Sequence, residues 1–102
     1  MNSAEAGFAK LVRSNNVRGV REGKFFGFQA LQFEGKSFVI LSGEFLVFRL
    51  DEALREEAID LDGAAAWNPY GREKRNWIQL SSTHSERWEY FYQKALGLLL
   101  DA

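Results

Sequence analysis

The hydrophobic and polar positions of this chain follow a strand-like pattern between residues 25 and 50. Three runs rich in aromatic and β-branched residues are separated by Glu34-Gly35 and Gly43-Glu44; the runs are FFGFQALQF, KSFVILS and FLVFRL. Such residues favour β-strands, and each separating pair supplies a glycine for the positive φ angle of a tight hairpin. The pattern predicts a three-stranded antiparallel meander.

Both faces of this predicted sheet carry apolar side chains. Side chains alternate along a strand, so Phe45, Val47 and Arg49 point to one face and the residues between them to the other. The same rule places Phe38 and Val39 on opposite faces. A sheet with one face in water would alternate apolar with polar residues. We therefore expect both faces to be covered, by helices, by a folded-over loop or by a second copy of the protein.

Residues 3–14 have the spacing of apolar side chains that is typical of a short helix. Asn2 and Glu5 are placed to form a capping box at its start, and Asn15-Asn16 ends it. The following segment, 17–23, holds two glycines and two arginines and is either a linker or a short edge strand.

Two more helices are predicted after the meander. Asp51 is a suitable N-cap for residues 52–61, and Gly63 is placed to end that helix. Thr83 and Glu86 form a second capping box before the last helix. Its apolar stripe is wide and aromatic, and we expect it to lie across the sheet: Trp88, Phe91, Tyr92, Ala95, Leu96 and Leu99.

A second, smaller hairpin is predicted between these helices. Residues 64–67 and 75–80 are its strands, and Asn68-Pro69-Tyr70-Gly71 is its turn, with Pro in the second and Gly in the fourth position. The fold class that follows is α+β: an antiparallel meander with a second small hairpin, and N-terminal, middle and C-terminal helices packed on the sheet.

Composition argues against some classes of function but does not identify one. The 102 residues suit one domain, and a net charge of −1 predicts no strong attraction to nucleic acid. Residues 1–50 carry seven Lys or Arg and four Asp or Glu, whereas residues 51–102 carry six and ten. No apolar run reaches the roughly 18 residues of a membrane span, and no signal peptide is visible, so we expect a cytoplasmic protein.

The loop of the second hairpin is the best candidate for a binding site. It places cations beside aromatic rings, an arrangement that can hold a phosphate or stack a base. The alternative is a solvated loop tip, with Trp67 and Trp77 as cross-strand core partners. Arg49, on an apolar strand face, is either an anion anchor or an ion-pair partner of Glu22, Glu34 or Glu44. The candidate ligand-binding residues are Arg49, Tyr70, Arg72, Lys74, Arg75 and Trp77.

The sequence gives little support for a catalytic site or a metal site. The chain has no cysteine, and His84 is its only histidine, so a transition-metal site is not expected. Ser81, Ser82 and Ser85 surround His84, but adjacent residues seldom have the geometry of a catalytic pair. The acids of residues 51–62 match no calcium loop and read as a solvated helix face. We expect no enzyme activity, no cofactor and no metal.

The order of these elements resembles the N-terminal domain of the TfoX family over nearly all of the chain. The resemblance implies an α+β fold with helices packed on an antiparallel sheet, and residues 1–102 as one stand-alone domain of this type. Family members that carry a second, helical domain regulate natural competence, whereas stand-alone copies mostly have no assigned activity. The matching motifs are V17-x-x-V20, F26-G27, G35-K36-x-F38, R49-L50-D51, N68-P69-Y70-G71-R72, W77-I78-Q79-L80 and W88…A95-L96.

Three functions follow from these observations. The first is a non-enzymatic interaction or regulatory module that works through protein contacts and pairs as a homodimer, because one apolar sheet face should keep an exposed patch. The second is a small anion- or nucleotide-binding module that uses the loop 68–75. The third is a weak, salt-dependent nucleic-acid-binding regulator.

Overall fold

The computed structural model describes residues 2–14 and 18–101. Within them the strands form one antiparallel sheet in the order β1-β2-β3-β4-β6-β5, which confirms the α+β fold class. Short 3₁₀ turns occur at Pro69–Gly71 and Ser82–His84. The helices are α1 (Ser3–Ser14), α2 (Glu52–Ile59) and α3 (Ser85–Leu100), and the strands are β1 (Val20–Phe25), β2 (Phe28–Phe33), β3 (Lys36–Ser42), β4 (Phe45–Arg49), β5 (Ala65–Trp67) and β6 (Lys74–Ser81).

The first predicted strand is a hairpin rather than a single strand. β1 pairs with β2 through Phe25 and Phe28, and Phe26-Gly27 forms the turn with φ angles of 52° and 84°. Positive φ at both central residues is the signature of a type I′ turn. The aromatic composition of the run hid this turn, because a phenylalanine rarely takes positive φ. β1 forms the edge of the sheet and includes residues 20–23, which agrees with the edge-strand alternative for the segment 17–23.

A β-bulge in β3 breaks the expected alternation at Phe38. Leu31 pairs with Val39 and Gln32 with Ser37, so Phe38 is an extra residue in its strand. Its ring centroid lies 5.5 Å from that of Tyr92, on the helix side of the sheet. The expectation that Phe38 and Val39 lie on opposite faces was therefore wrong, and the bulge returns Ser37 to the face away from the helices.

α1 and α3 cover one face of the sheet. The predicted stripe of α3 is confirmed: Phe91 is fully buried, and its ring centroid lies 6.1 Å from that of Phe48 on β4. The two helices approach closely at Gly7, where a Cβ atom would lie 2.2 Å from Cζ3 of Trp88. A glycine is needed there because any side chain would displace the indole ring.

Two of the predicted helix starts are confirmed. The Asn2 N–H donates to Glu5 Oε1 and the Glu5 N–H donates to Asn2 Oδ1, both at 2.8 Å, which completes the capping box. The Leu54 N–H donates to Asp51 Oδ1 at 2.9 Å. The predicted end of α1 at Asn15-Asn16 lies outside the described residues.

Two other predicted helix ends are wrong. α2 ends at Ile59, and Gly63, with a φ of 82°, belongs to the turn before β5 rather than to the end of the helix. Thr83 does not cap α3, because its N–H donates to Ser81 Oγ in a 3₁₀ turn and the helix begins only at Ser85. Ser81 favours a local side-chain hydrogen bond, and the helix begins one residue later than predicted.

The face away from the helices is concave and closes on itself. Three strands lie between β1 and β6, which would separate these two strands by about 19 Å in a flat sheet. The ring centroids of Phe25 on β1 and Trp77 on β6 nevertheless lie only 5.2 Å apart. The sheet is therefore strongly coiled, and the β1–β2 hairpin reaches across its own concave face.

A second hydrophobic core fills this concave face. Its side chains are at most 9% exposed, and Phe25 and Phe28 pack against them. Helices thus cover one face, and the meeting of the two hairpins covers the other. The expected exposed patch is not found among the described residues, where only Phe26, Tyr70 and Leu100 are large exposed hydrophobic residues. The core consists of Ala30, Ile40, Val47, Trp67 and Trp77.

Candidate functional site

The loop of the second hairpin packs against the tip of the β1–β2 hairpin. The Tyr70 hydroxyl donates to the Phe26 carbonyl at 2.7 Å, and Lys74 Nζ lies 5.0 Å from the centroid of the Phe26 ring. The two hairpin tips are therefore joined by a hydrogen bond and a cation–π contact. Both predicted ligand-binding residues have structural partners at this junction.

The turn itself is displaced by one residue from the predicted position. The Arg72 N–H donates to the Pro69 carbonyl at 3.1 Å, so the turn begins at Pro69 instead of Asn68. Tyr70 and Gly71 take φ angles of 55° and 78°. A tyrosine at positive φ is strained, and its hydroxyl contact with Phe26 helps to hold it there.

The predicted arginine cluster does not converge. Arg75 forms an exposed ion pair with Glu52 on α2, and its carbonyl accepts from Arg55 Nε at 2.8 Å. Arg72 is exposed at the end of the turn and lines neither of the two pockets that contain Arg49. Of the three arginines, only Arg49 lies with the predicted site residue Trp77, its direct cross-strand partner.

Arg49 and Trp77 line a groove of about 520 Å³ that opens on the concave side of the sheet. Strand alternation directs the side chains of Arg49 and Trp77 onto this face, as the sequence predicts for Arg49. The expected acidic partners Glu22, Glu34 and Glu44 do not pair with Arg49, which has no ion pair among the described residues. The groove residues are Lys24, Phe25, Gln32, Gly35, Lys36, Ser37, Arg49 and Trp77.

The groove has an arginine on one side, an apolar wall on the other and no acidic lining residue. Lys24 and Lys36 border it through their strands, but Lys24 pairs with Gln29 and Lys36 with Phe33, so alternation directs both lysine side chains to the helix face. Phe25 and Trp77 stack on each other at 28° and form its apolar wall.

Ser37 and Gln32 lie inside the groove, and sequence analysis missed both of them. Ser37 is only 7% exposed, and its Oγ lies 3.1 Å from Nε2 of Gln32. The same Nε2 donates to the Lys24 carbonyl at 3.3 Å, which ties β1 to the start of β3. The sequence signal that could have found them is two polar residues within otherwise apolar strand runs.

A second pocket, of about 300 Å³, lies on the other side of Arg49 and has walls of α3. Its polar groups already have structural partners. Asp51 caps α2, and the Asn76 side-chain amide donates to the Leu50 carbonyl at 3.0 Å. Its lining combines Arg49 with the carboxylate of Asp51, so this pocket has a weaker claim to an anionic ligand than the groove, which no carboxylate lines.

The remaining polar candidates serve the fold. His84 Nε2 contacts the Asp62 carbonyl at 2.6 Å and fixes the chain after α2. The hydrogen bond that Tyr90 donates to Glu57 raises the pKa of its phenol, and burial raises the pKa of Tyr92. Both tyrosines thus stay protonated at neutral pH. No group of three or more metal-ligating side chains occurs in residues 2–14 and 18–101.

Comparison of the chain with protein-family models, with curated proteins and with solved structures finds no match. Within the described ranges, no helix has the length and apolar character required to cross a membrane. The class that fold and site together define is an α+β domain with a groove beside Arg49 on a coiled antiparallel sheet.

Proposed function

We propose that this protein is a non-enzymatic binding module that holds a small anionic ligand in the groove beside Arg49. The observation that carries the proposal is the arginine at the groove: the Arg49 side chain is directed onto the groove face beside Trp77, no carboxylate lines the groove, and no ion pair among the described residues neutralises this cation. A guanidinium presents its N–H donors in a planar fork that fits the oxygens of a carboxylate or phosphate.

The groove replaces the loop 68–75 as the proposed site of the anion-binding hypothesis. In that loop Tyr70, Lys74 and Arg75 have intramolecular partners, so a ligand would have to compete with them. At Arg49 a ligand would not have to displace an ion-pair partner among the described residues. Binding at Arg49 would also lie next to Trp77, so occupancy can change the environment of that indole.

Membership of the TfoX N-terminal family and a regulatory role through protein contacts stay predictions. They are compatible with the proposed groove, because a regulatory module can respond to a small ligand. The nucleic-acid-binding alternative has no further support in the geometry. A cytoplasmic location is likewise a prediction.

The proposal predicts a specific difference between two arginine variants. Arg49→Gln should weaken the binding of sulfate at pH 8 and low ionic strength by about tenfold or more, because a hydrogen bond to a charged group contributes roughly 1.5–3 kcal/mol. Arg72→Gln removes the same charge from an exposed position outside the groove and is the matched control, expected within about twofold of the parent protein. Isothermal titration calorimetry measures both affinities.

The opposite pattern would restore the loop as the binding site. If Arg72→Gln lost affinity and Arg49→Gln kept it, the ligand would bind at the tip of the second hairpin. Equal, small losses in both variants would indicate general attraction of anions to positive charge, without a site.

The burial of both sheet faces also changes the expectation for assembly. The homodimer prediction depended on an exposed apolar face, and the second core removes that reason. We now propose a monomer. Sedimentation equilibrium over a dilution series should give a constant mass near 11.7 kDa. A mass that rises towards twice this value with concentration would instead support the two-fold dimer.

A further inference from the structure

Ser37 is a buried polar side chain at the floor of the groove. It is 7% exposed and belongs to the face with Trp77 only because the bulge at Phe38 shifts it there. Bulges are commonly used to re-aim a side chain next to a functional site. Buried polar atoms are normally hydrogen-bonded, so the partners of this hydroxyl can be counted.

The hydrogen bonds of Gln32 determine which way the Ser37 hydroxyl points. Gln32 Nε2 contacts both the Lys24 carbonyl and Ser37 Oγ. A carbonyl oxygen can only accept, so the amide nitrogen is the donor in the first contact and also in the second. Ser37 Oγ therefore accepts from Gln32, and its own O–H has no acceptor among residues 2–14 and 18–101.

The acceptor oxygen of Gln32 is turned away from this hydroxyl. A Cβ atom built on Gly23 would lie 2.6 Å from Gln32 Oε1, so that oxygen packs against the backbone of β1. The Ser37 O–H is left as a hydrogen-bond donor in a groove where the charged side chain on the same face, Arg49, is a donor as well.

We infer that Ser37 makes this groove selective for an oxyanion that carries no proton, such as sulfate or the dianion of a phosphate monoester. A protonated phosphate carries an O–H donor of its own. In a site whose side chains present only donors, this O–H faces another donor hydrogen, and one of the two is left without an acceptor. An unsatisfied buried donor is costly. This inference rests on the proposed function, because it names the ligand class of the same groove.

The first test compares two ligands at two pH values in the unmodified protein. The probes are sulfate, which stays fully deprotonated, and a phosphoserine blocked at both termini, whose second pKa is about 6. Between pH 8 and pH 5 the affinity for the phosphoserine should fall about tenfold, in step with its dianion, while the affinity for sulfate stays constant. Of the charged residues that border the groove, Arg49 directs its side chain onto it, Lys24 and Lys36 direct theirs to the opposite strand face, and Glu34 lies in the adjoining turn.

The second test assigns the selectivity to Ser37. Ser37→Ala should weaken sulfate binding about tenfold, and Ser37→Thr, which keeps the hydroxyl, should restore most of the affinity. Ser37→Ala should also reduce the loss of phosphoserine affinity between pH 8 and pH 5, because the facing donor is gone. A purely structural role of Ser37 would lower both affinities without changing their ratio.

The possible failures can be told apart. If the parent protein binds neither probe at either pH, the proposed function and the inference both fall. If it binds both probes, but the phosphoserine equally well at pH 5 and pH 8, only the inference about ligand class is overturned. If Ser37→Ala does not fold, the comparison of the two ligands in the parent protein still decides the question.

Discussion

Replacing Phe91 with alanine is expected to lower the free energy of unfolding by about 3–5 kcal/mol, as large aromatic deletions in protein cores do. Phe91 is fully buried between α3 and the sheet, and its ring packs against Phe48 on β4. The alanine leaves a cavity that the surrounding strands cannot fill, since they are hydrogen-bonded on both sides. Urea unfolding monitored by circular dichroism measures the loss.

Gln93→Ala is the control for this substitution. Gln93 is exposed on the same helix and donates its amide to Glu89 one turn away, so its loss should change stability by no more than about 0.5 kcal/mol. If Phe91→Ala cost less than about 1 kcal/mol, the apolar stripe of α3 would not face the sheet.

Replacing Trp67 with alanine is expected to be as damaging, because this side chain is central to the second core. It is 2% exposed and lies within 6.5 Å, between ring centroids, of four other aromatic rings. Its indole N–H donates to Ser42 Oγ at 3.0 Å, which links β5 to β3 across the coiled sheet. We expect a loss of about 3–5 kcal/mol in the same unfolding measurement.

Trp67→Phe separates packing from hydrogen bonding. It keeps an aromatic ring and removes the indole N–H, so the cost should be closer to about 1–2 kcal/mol. A Trp67→Ala protein as stable as the parent would mean that the hairpins do not close over the concave face. The exposed apolar face would then return, and with it the argument for a dimer.

The elements with strong local patterns were predictable from the sequence. The capping box at Asn2 and Glu5, the cap at Asp51 and the stripe of α3 each depend on residues within a few positions of one another. The same holds for the Glu34-Gly35 and Gly43-Glu44 turns, where the glycines take positive φ. Local physical chemistry is sufficient for such features.

The departures from the prediction have longer-range causes. The turn at Phe26-Gly27 places a phenylalanine at positive φ, which its own propensity disfavours, and contact with Tyr70 of a distant loop accompanies it. The bulge at Phe38 satisfies the packing of α3 against the sheet rather than any local rule. Tertiary packing decided both positions.

The candidate site was only partly predictable for the same reason. Arg49 and Trp77 were identified because a charge or a tryptophan in a strand run is conspicuous. Ser37 and Gln32 were visible only as polar residues within apolar strand runs, because the bulge and the hydrogen bond to β1 that bring them into the groove are not local features. The ion pair of Arg75 with Glu52 was not predicted, because its partner lies 23 positions away in sequence.

The measurement that tests the central claim most directly is an NMR titration of the ¹⁵N-labelled protein with sulfate at pH 8. Occupancy of the groove should shift the backbone amide of Ser37 and the indole N–H of Trp77, and leave the amides of Tyr70 and Gly71 unchanged. Shifts concentrated at Tyr70 and Gly71, with Ser37 and Trp77 unaffected, would contradict the account and return the binding site to the hairpin loop.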